Sequence, residues 1–295
     1  MKASDAKAAF AARVGGWFAG HARELPWRQP ATSAWSVLVS EVMLQQTPVN
    51  RVLPVYAAWL RRWPTPALLA AAPAGDAVRM WGKLGYPRRA LRLHGCALAI
   101  TERHGGQVPD SLPQLLALPG VGDYTARAVL AFAHGKRAPV VDINVRRVLA
   151  RAIGGQGMPG PPSTARDLAA MEAVLPDSDA EAARFCAAVM ELGALVCTAG
   201  TPACARCPVA ESCAWRLAGY PRYDGPVIRP QRFTGTDRQV RGLLLDVLRA
   251  ADGPVSQAAL DLSWPDPPQR QRAQDSLVAD GLIDPLPDGR YALPC

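Results

Sequence analysis

The residues best placed to do chemistry lie between Leu118 and Arg147, in the run LPGVGDYTARAVLAFAHGKRAPVVDINVRR. A Leu-Pro-Gly-Val-Gly turn stands directly before an amphipathic helical pattern, and glycine lets the backbone turn so that the free N–H groups at the helix start face one anion. That is a phosphate grip. Beyond Gly135 and a short apolar run, a lone carboxylate, Asp142, stands at the mouth of a second helix carrying Arg146 and Arg147. A phosphate grip followed by an acid points to chemistry on a nucleic acid. Each position also has a plainer reading: Asp142 as the N-cap of a helix from Ile143 to Ala152, the glycines as an ordinary tight turn, the two arginines as a wet helix face.

A second group able to do chemistry is Cys197, Cys204, Cys207 and Cys213, in the order C-x6-C-x2-C-x5-C. Four thiolates this close in sequence suit a zinc ion or a [4Fe–4S] cluster. Zinc ribbons usually pair two C-x2-C knuckles, whereas this segment has one, with a long first gap and no histidine nearby; the spacing favours iron and sulfur. The plainer reading is a metal that staples residues 190–216 together. Cys96, Cys186 and Cys295 stand alone and read as buried fillers or a free terminus.

The elements that must position these groups are helical. Residues 6–20 show helical apolar spacing, and RELPWR at Arg23–Arg28 reads as a loop because Pro26 restricts Leu25. A helix is expected from Ser33 to Gln46, with Glu41 and Gln45 sharing a face and Gln46 at its end; Thr47 then reads as the N-cap of a helix that Pro54 would kink. Further helices are expected around 66–72, 75–83, 87–104 and 111–117, with a turn at Leu84–Pro87, and no alternating strand pattern competes. The segment Gly154–Ser163 reads as a loop, and helical spacing resumes up to Leu195. From Gly219 to Asp237 runs a basic linker punctuated by proline. Beyond it the pattern gives three helices and a short hairpin, an order that resembles a winged helix.

With 295 residues the chain is long enough for two or three domains, and 33 Lys and Arg against 25 Asp and Glu give a formal charge of +8, which suits a polyanionic partner. No apolar run reaches the roughly 18 residues that span a bilayer, and residues 1–20 hold no signal-peptide core. A soluble cytoplasmic protein is expected, with the cysteines in a reducing compartment.

Taken together, LPGVGDYTA, the acid at Asp142 and the four-cysteine spacing resemble the endonuclease III superfamily of helix-hairpin-helix DNA glycosylases. Within it, SEVMLQQTPV at Ser40–Val49, preceded by LPWR at Leu25–Arg28, resembles the MutY branch, the adenine DNA glycosylases. The likeness covers about residues 15–220, and the stretch beyond Asp237 is similar to a short actinobacterial form lacking the NUDIX-like C-terminal domain. The resemblance implies an all-α, two-lobed fold with DNA held between the lobes: residues 1–30 with 139–218 as an iron–sulfur cluster lobe, 31–138 as a helical barrel with the hairpin, 219–237 as the linker and 238–295 as a winged-helix-like module.

It also implies roles. An enzyme that acts on a stacked base must flip the nucleotide out. Gln46 and Tyr86 match the positions that wedge into the gap, and Thr47, Gly120, Val121 and Gly122 match DNA-contacting positions. Adenine is a poor leaving group, so Glu41 matches the acid that protonates the ring and Asp142 the carboxylate that stabilises the cationic sugar, supported by Asn144. Glu41 sits in an apolar helix that favours its protonated form, while Asp142 is expected to stay ionised. Arg23, Leu25, Trp27, Arg28, Leu44, Val49 and Glu191 match the adenine pocket. Tyr124 stands where lyase members carry a Schiff-base lysine, which implies base removal without efficient strand cleavage. The four cysteines match the [4Fe–4S] ligands.

Three positions depart from the branch. Ile143 follows the acid where a small residue is usual, Pro87 replaces a common second tyrosine, and Thr198–Ala203 holds no basic residue, leaving phosphate contact to Arg206, Arg216 and the linker arginines. The expected function is a monomeric, monofunctional glycosylase of base excision repair acting on adenine opposite 8-oxoguanine or guanine in nucleoid DNA. The alternatives are a mismatch thymine or uracil glycosylase of the same superfamily, from which the EVMLQQT segment and Glu191 distinguish it, and a non-catalytic iron–sulfur DNA-binding protein, against which Glu41, Tyr124 and Asp142 argue.

Overall fold

The computed structural model describes residues 3–226 and 232–295. The centre of the expected linker, residues 227–231, lies outside the described residues. The chain divides into two compact units, Met1–Val37 with Asp110–Pro113 and Gly122–Ile228, and Leu38–Pro109 with Gln114–Val121 and Arg229–Cys295.

The first unit holds α1 (Ala3–His21), then, later in the chain, α8 (Asp123–Phe132), α9 (Ile143–Ala152), α10 (Thr164–Glu172), α11 (Asp179–Leu195) and α12 (Ala214–Leu217). Helical periodicity explains their packing. On α9, Val145, Val148, Leu149 and Ala152 recur at helical spacing and are buried, and on α11 Ala182, Phe185, Cys186, Val189 and Leu192 do the same. Phe10 of α1 meets Phe185 edge to face with ring centroids 5.9 Å apart. Ala128 and Ala131 bring α8 into this same core, which is why the hairpin's second helix belongs to this unit.

The second unit holds most of α2 (Ala34–Leu44), α3 (Val49–Arg62), α4 (Pro66–Ala70), α5 (Ala74–Trp81), α6 (Arg88–Arg103) and most of α7 (Leu112–Leu116). Trp59 packs edge on against Trp63 at 4.7 Å and Trp81 at 5.8 Å, and Trp59 and Trp81 are fully buried. Pro54 lies inside α3 without interrupting it.

The C-terminal module belongs to this second unit. It comprises α13 (Asp237–Ala250), α14 (Gln257–Asp261) and α15 (Pro267–Ala279), with three short strands β1 (Val255–Ser256), β2 (Asp284–Pro285) and β3 (Arg290–Ala292). The expected hairpin is β2 against β3, and β1 pairs antiparallel on the other side, Val255 opposite Tyr291. Sequence patterning missed β1 because two residues carry no alternation. Among the described residues no helix is long and apolar enough to cross a membrane.

Candidate active site

Asp142 caps α9. Its Oδ1 accepts from the Val145 N–H at 2.7 Å, so the N-cap reading holds, and its Oδ2 accepts from Asn144 Nδ2 at 2.7 Å. Both oxygens therefore face donors, in a geometry that suits a carboxylate held still. Burial pushes the Asp142 pKa up from the ordinary carboxylate value; the hydrogen bonds from Val145 and Asn144 and the charge of Arg147 oppose that push without cancelling it. The side chain's ionisation thus depends on its donors.

Those donors are themselves held. Asn144 Oδ1 accepts from Arg147 Nη2 at 2.7 Å, the same nitrogen donates to the Gly193 carbonyl at 2.7 Å, and Arg147 Nε donates to the Cys197 carbonyl at 2.6 Å. Gly193 on α11 lets this happen: a Cβ there would lie 2.7 Å from Asn144 Cβ and 2.8 Å from its carbonyl oxygen. Arg147 is buried, so the wet-face reading fails for it. Arg146 is also inward, paired with Asp167 at 2.7 Å with its side chain 10% exposed. Ile143, beside the acid, is 58% exposed.

Arg151 ties the same helix to the cysteine loop. It donates to the carbonyls of Thr198 at 2.7 Å and Ala199 at 3.2 Å, approaches Cys197 Sγ at 3.5 Å, and stacks over Trp215 at 4.8 Å. Cys197, Cys204, Cys207 and Cys213 line one pocket with Arg151, Val196, Pro202, Ala210, Trp215 and Arg216. Among the described residues no group of three or more His, Cys, Asp or Glu side chains is gathered as for a single metal ion.

Tyr124, on the first turn of α8, is partly buried against the core that contains α9. Before it, Gly120 has φ +77°, and a Cβ there would fall 2.6 Å from Arg92 Cβ; only glycine fits. Gly122 caps α8 with extended backbone and carries no side chain to cap it. Val121 is buried.

Arg23 and Arg28 converge on Glu191. Glu191 Oε1 accepts from Arg23 Nε at 2.7 Å and from the Arg23 N–H at 3.0 Å, and Oε2 accepts from Arg23 Nη2 at 2.8 Å and Arg28 Nη2 at 3.0 Å. Glu191 is 1% exposed. Burial alone would raise its pKa, but the Arg23 and Arg28 hydrogen bonds outweigh that and hold it at about 2. Arg28 Nη1 is buried and makes no hydrogen bond within the protein. Trp27, in the short 3-10 turn Pro26–Arg28, and Leu25 are buried beside it in sequence.

In the second unit, Glu41 is 5% exposed on α2 and so is not a surface residue of that helix. Leu44 and Val49 are half-buried on either side of the α2–α3 turn. Sequence reasoning carried α2 to Gln46; the helix ends at Leu44, and Gln46 is exposed with φ +53°. Thr47 is not the N-cap of α3. Pro48 holds that place, because the Thr47 hydroxyl is already engaged, donating to the Leu84 and Gln45 carbonyls and accepting from Arg89 Nη2 at 2.9 Å. Tyr86, 48% exposed, has φ +48° in the turn between α5 and α6, and Pro87 is the N-cap of α6.

Arg89 joins those two tips, and nothing in the sequence announced it. Its Nη1 donates to the carbonyls of Val42 at 2.8 Å, Met43 at 3.0 Å and Gln45 at 2.7 Å, and its Nη2 to Thr47 Oγ1 and the Gly85 carbonyl at 3.0 Å. The guanidinium lies over Trp81 at 5.0 Å and Tyr86 at 5.6 Å. Burial lowers its pKa to about 10, so it is charged at neutral pH. One cation thus fixes both left-handed, non-glycine residues of this region, Gln46 and Tyr86.

A helical protein with a glycine turn before a helix, a capped acid and a four-thiol loop belongs among helix-hairpin-helix proteins, and the HhH-GPD superfamily base excision DNA repair protein profile matches residues 39–172. The adenine DNA glycosylase of Mycobacterium tuberculosis is 57% identical over 279 residues, covering 94% of this chain and 91% of that protein. That of Mycolicibacterium smegmatis is 54% identical, covering 94% and 93%. A solved thermostable thymine-DNA glycosylase is similar with a TM-score of 0.65 and 25% identity, over 74% of this chain and 100% of that one. The chain belongs to the adenine DNA glycosylase family of the HhH-GPD superfamily.

Proposed function

We propose that the enzyme binds duplex DNA and removes adenine opposite 8-oxoguanine or guanine by hydrolysing the N-glycosidic bond, leaving the strand intact. The observation that carries the reading is that both acids are withdrawn from solvent, Glu41 at 5% exposure on α2 and Asp142 fixed by donors on both oxygens at the start of α9. A buried acid that can hold a proton and a carboxylate held still by donors suit opposite roles. As the bond breaks, its electron pair goes to adenine, which takes a proton from the Glu41 carboxyl. The sugar becomes cation-like, and the Asp142 carboxylate stabilises it until water adds, its proton returning to the Glu41 carboxylate. Asn144 and Arg147 are the positioning residues that hold Asp142. Tyr124 offers a phenol, which forms no Schiff base with the sugar, so strand cleavage has no nucleophile at that position. Arg28 Nη1, buried without a partner, is a donor available to the base, with Glu191 fixing its orientation. Gly120–Gly122 grips a backbone phosphate, and Gln46 and Tyr86 form the edge that enters the duplex, with Thr47 buried behind Gln46. Such a substrate places the enzyme on the nucleoid.

The cysteine loop fits a [4Fe–4S] cluster. The four thiols line a common pocket that no carboxylate or imidazole shares, with Arg151 within reach of Cys197 Sγ to balance thiolate charge. Bound there, the cluster supplies a cross-link that orders the loop whose Cys197 carbonyl anchors Arg147.

Single-turnover assays on duplexes with adenine opposite 8-oxoguanine, adenine opposite guanine and thymine opposite guanine test the reading. Adenine release from the first two, abolished by Glu41→Gln or Asp142→Asn, is expected, with no borohydride-trapped adduct. No release from either adenine duplex at enzyme excess refutes the proposal, and faster action on thymine opposite guanine assigns the chain to the mismatch thymine class instead.

A further inference from the structure

The C-terminal module looks at first like a DNA-binding wing, and its charge argues against that. Residues 237–295 hold nine Asp and six Arg and no Lys, Glu or His, a net charge of −3 in a chain of +8. A surface that grips phosphates needs uncommitted cations, and here the arginines are committed. Arg241 pairs with Asp280 at 2.6 Å, Arg249 with Asp246 at 3.4 Å, Arg270 with Asp261 at 3.0 Å, Arg272 with Asp237 at 3.7 Å and Arg290 with Asp288 at 2.7 Å, while Arg238 lies over the Phe233 ring. Both arginines of α15, the helix in the recognition position of a winged helix, are among the paired ones.

The module's buried contacts run inward instead, to α5. Arg79 Nη1 donates to the carbonyls of Leu248, Arg249 and Ala251, the last at 2.7 Å, satisfying the orphan acceptors at the end of α13. Arg249 returns the contact, its Nε donating to the Val78 carbonyl at 3.1 Å. The Gly75 N–H donates to the Pro294 carbonyl at 2.6 Å, and a Cβ on Gly75 would meet that oxygen at 2.5 Å and Leu293 Cβ at 2.8 Å. Glycine at 75 is what lets the last residues seat.

Helix α5 leads directly to the Tyr86 turn. Trp81, its last residue, donates from Nε1 to the Gly85 carbonyl at 2.9 Å and lies under the Arg89 guanidinium. Two further ties bracket the turn from outside, Lys83 to Asp246 at 3.4 Å and Arg88 to Asp280 at 3.2 Å. The module therefore grips the helix before the turn and the residues on each side of it.

We propose that residues 237–295 act as a brace that holds the Leu84–Pro87 turn in the shape that presents Tyr86, and that they do not bind DNA. The proposal rests on the reading of Tyr86 as a residue that inserts into the duplex.

The test uses the full chain and a duplex carrying a non-hydrolysable adenosine analogue opposite 8-oxoguanine, with 2-aminopurine beside it to report unstacking. Gly75→Leu and Arg79→Ala should each cut the fluorescence rise and the single-turnover rate on the hydrolysable duplex roughly tenfold, the scale set by losing one buried charged hydrogen bond. Because those variants disturb a buried contact, Lys83→Gln with Arg88→Gln, whose side chains are 82% and 55% exposed, is the second arm; at saturating enzyme it should lower the fluorescence rise severalfold while the melting temperature stays near that of the parent. Arg238→Ala with Arg272→Ala should leave the salt dependence of binding unchanged. Insertion at the parent level in both brace arms overturns the proposal, as does a smaller salt slope in the Arg238/Arg272 variant, which would make the module a DNA contact. Tyr86→Ala separates the two layers: it must itself abolish the signal, and a normal signal there removes the insertion reading and the brace with it.

Discussion

Replacing Arg89 by Met keeps most of the aliphatic volume and removes the guanidinium. Five acceptors then lose a hydrogen bond: the carbonyls of Val42, Met43, Gln45 and Gly85 and the Thr47 hydroxyl; Gly85 keeps the Trp81 Nε1 donor and Gln45 the Thr47 hydroxyl, so the loss is heaviest at Val42 and Met43. The Val42 and Met43 carbonyls lie in the last turn of α2, where a helix leaves its carbonyls without amides further along the chain to satisfy them, and Gln45 follows that end. An unsatisfied buried acceptor costs about 1–3 kcal/mol. Gln45 is only half-buried, so water recovers part of the loss there, and the desolvation of the buried cation is itself relieved. The net falls at about 3–5 kcal/mol, a large share of a typical total of about 5–15 kcal/mol. Urea unfolding should place Arg89→Met in that range below the parent. Arg89→Lys should recover less than half, because one ammonium with three donors cannot span acceptors in both the α2–α3 turn and the turn at Gly85. Where the folded fraction is held equal, both variants should also lose insertion by Gln46 and Tyr86, read by the 2-aminopurine signal. A loss of under about 1 kcal/mol in Arg89→Met, the scale of an ordinary surface change, would refute the reasoning.

Three more outcomes follow from the first unit. Glu191, held at about 2 against an ordinary 4.5, contributes about 3 kcal/mol of stability that is fully present above pH 4.5 and lost as pH falls towards 2; Glu191→Gln should unfold at lower urea than the parent at pH 7, and the gap should close below about pH 3. Gly193→Ala places a Cβ 2.7 Å from that of Asn144, so it should cost about 1–3 kcal/mol and slow base release in single turnover more than it weakens binding to uncleaved duplex; equal losses in both would detach Gly193 from the Asp142 geometry. Cys197→Ala should lower the iron content and loosen the Cys197 carbonyl that Arg147 Nε reaches at 2.6 Å, so hydrogen exchange at the α9 N-terminus should rise along with the loss of iron-thiolate absorbance; an unchanged α9 would show the loop and the acid to be independent.

What could be read in the chain beforehand, and what could not, divides along the range of the interactions involved. Helix α9 and its cap were legible because an N-cap acts over three residues, Asp142 to Val145. The four cysteines were legible because their spacing is itself local. Arginine defeated the reading on α6 and α9, where it turned inward from a helix. Arg147 and Arg89 stand in helical patterns as ordinary surface cations, and their distant carbonyl acceptors lie 46–50 and 44–47 residues away in sequence, at Gly193 and Cys197 and around the end of α2. These acceptors are carbonyls, a group every residue carries, so no residue type marks them. Thr47 shows the same rule from the other side. Its type and place before proline satisfy the requirements of a helix cap, yet the hydroxyl is claimed by Arg89 and Leu84, because a buried cation with few ways to be satisfied outcompetes a cap that water can replace. The proposed reacting groups are thus each legible from their local sequence, while the groups that hold them still are set by the fold. A search for positioning residues in such a chain does best by starting from buried arginines and following each to the backbone carbonyls it satisfies.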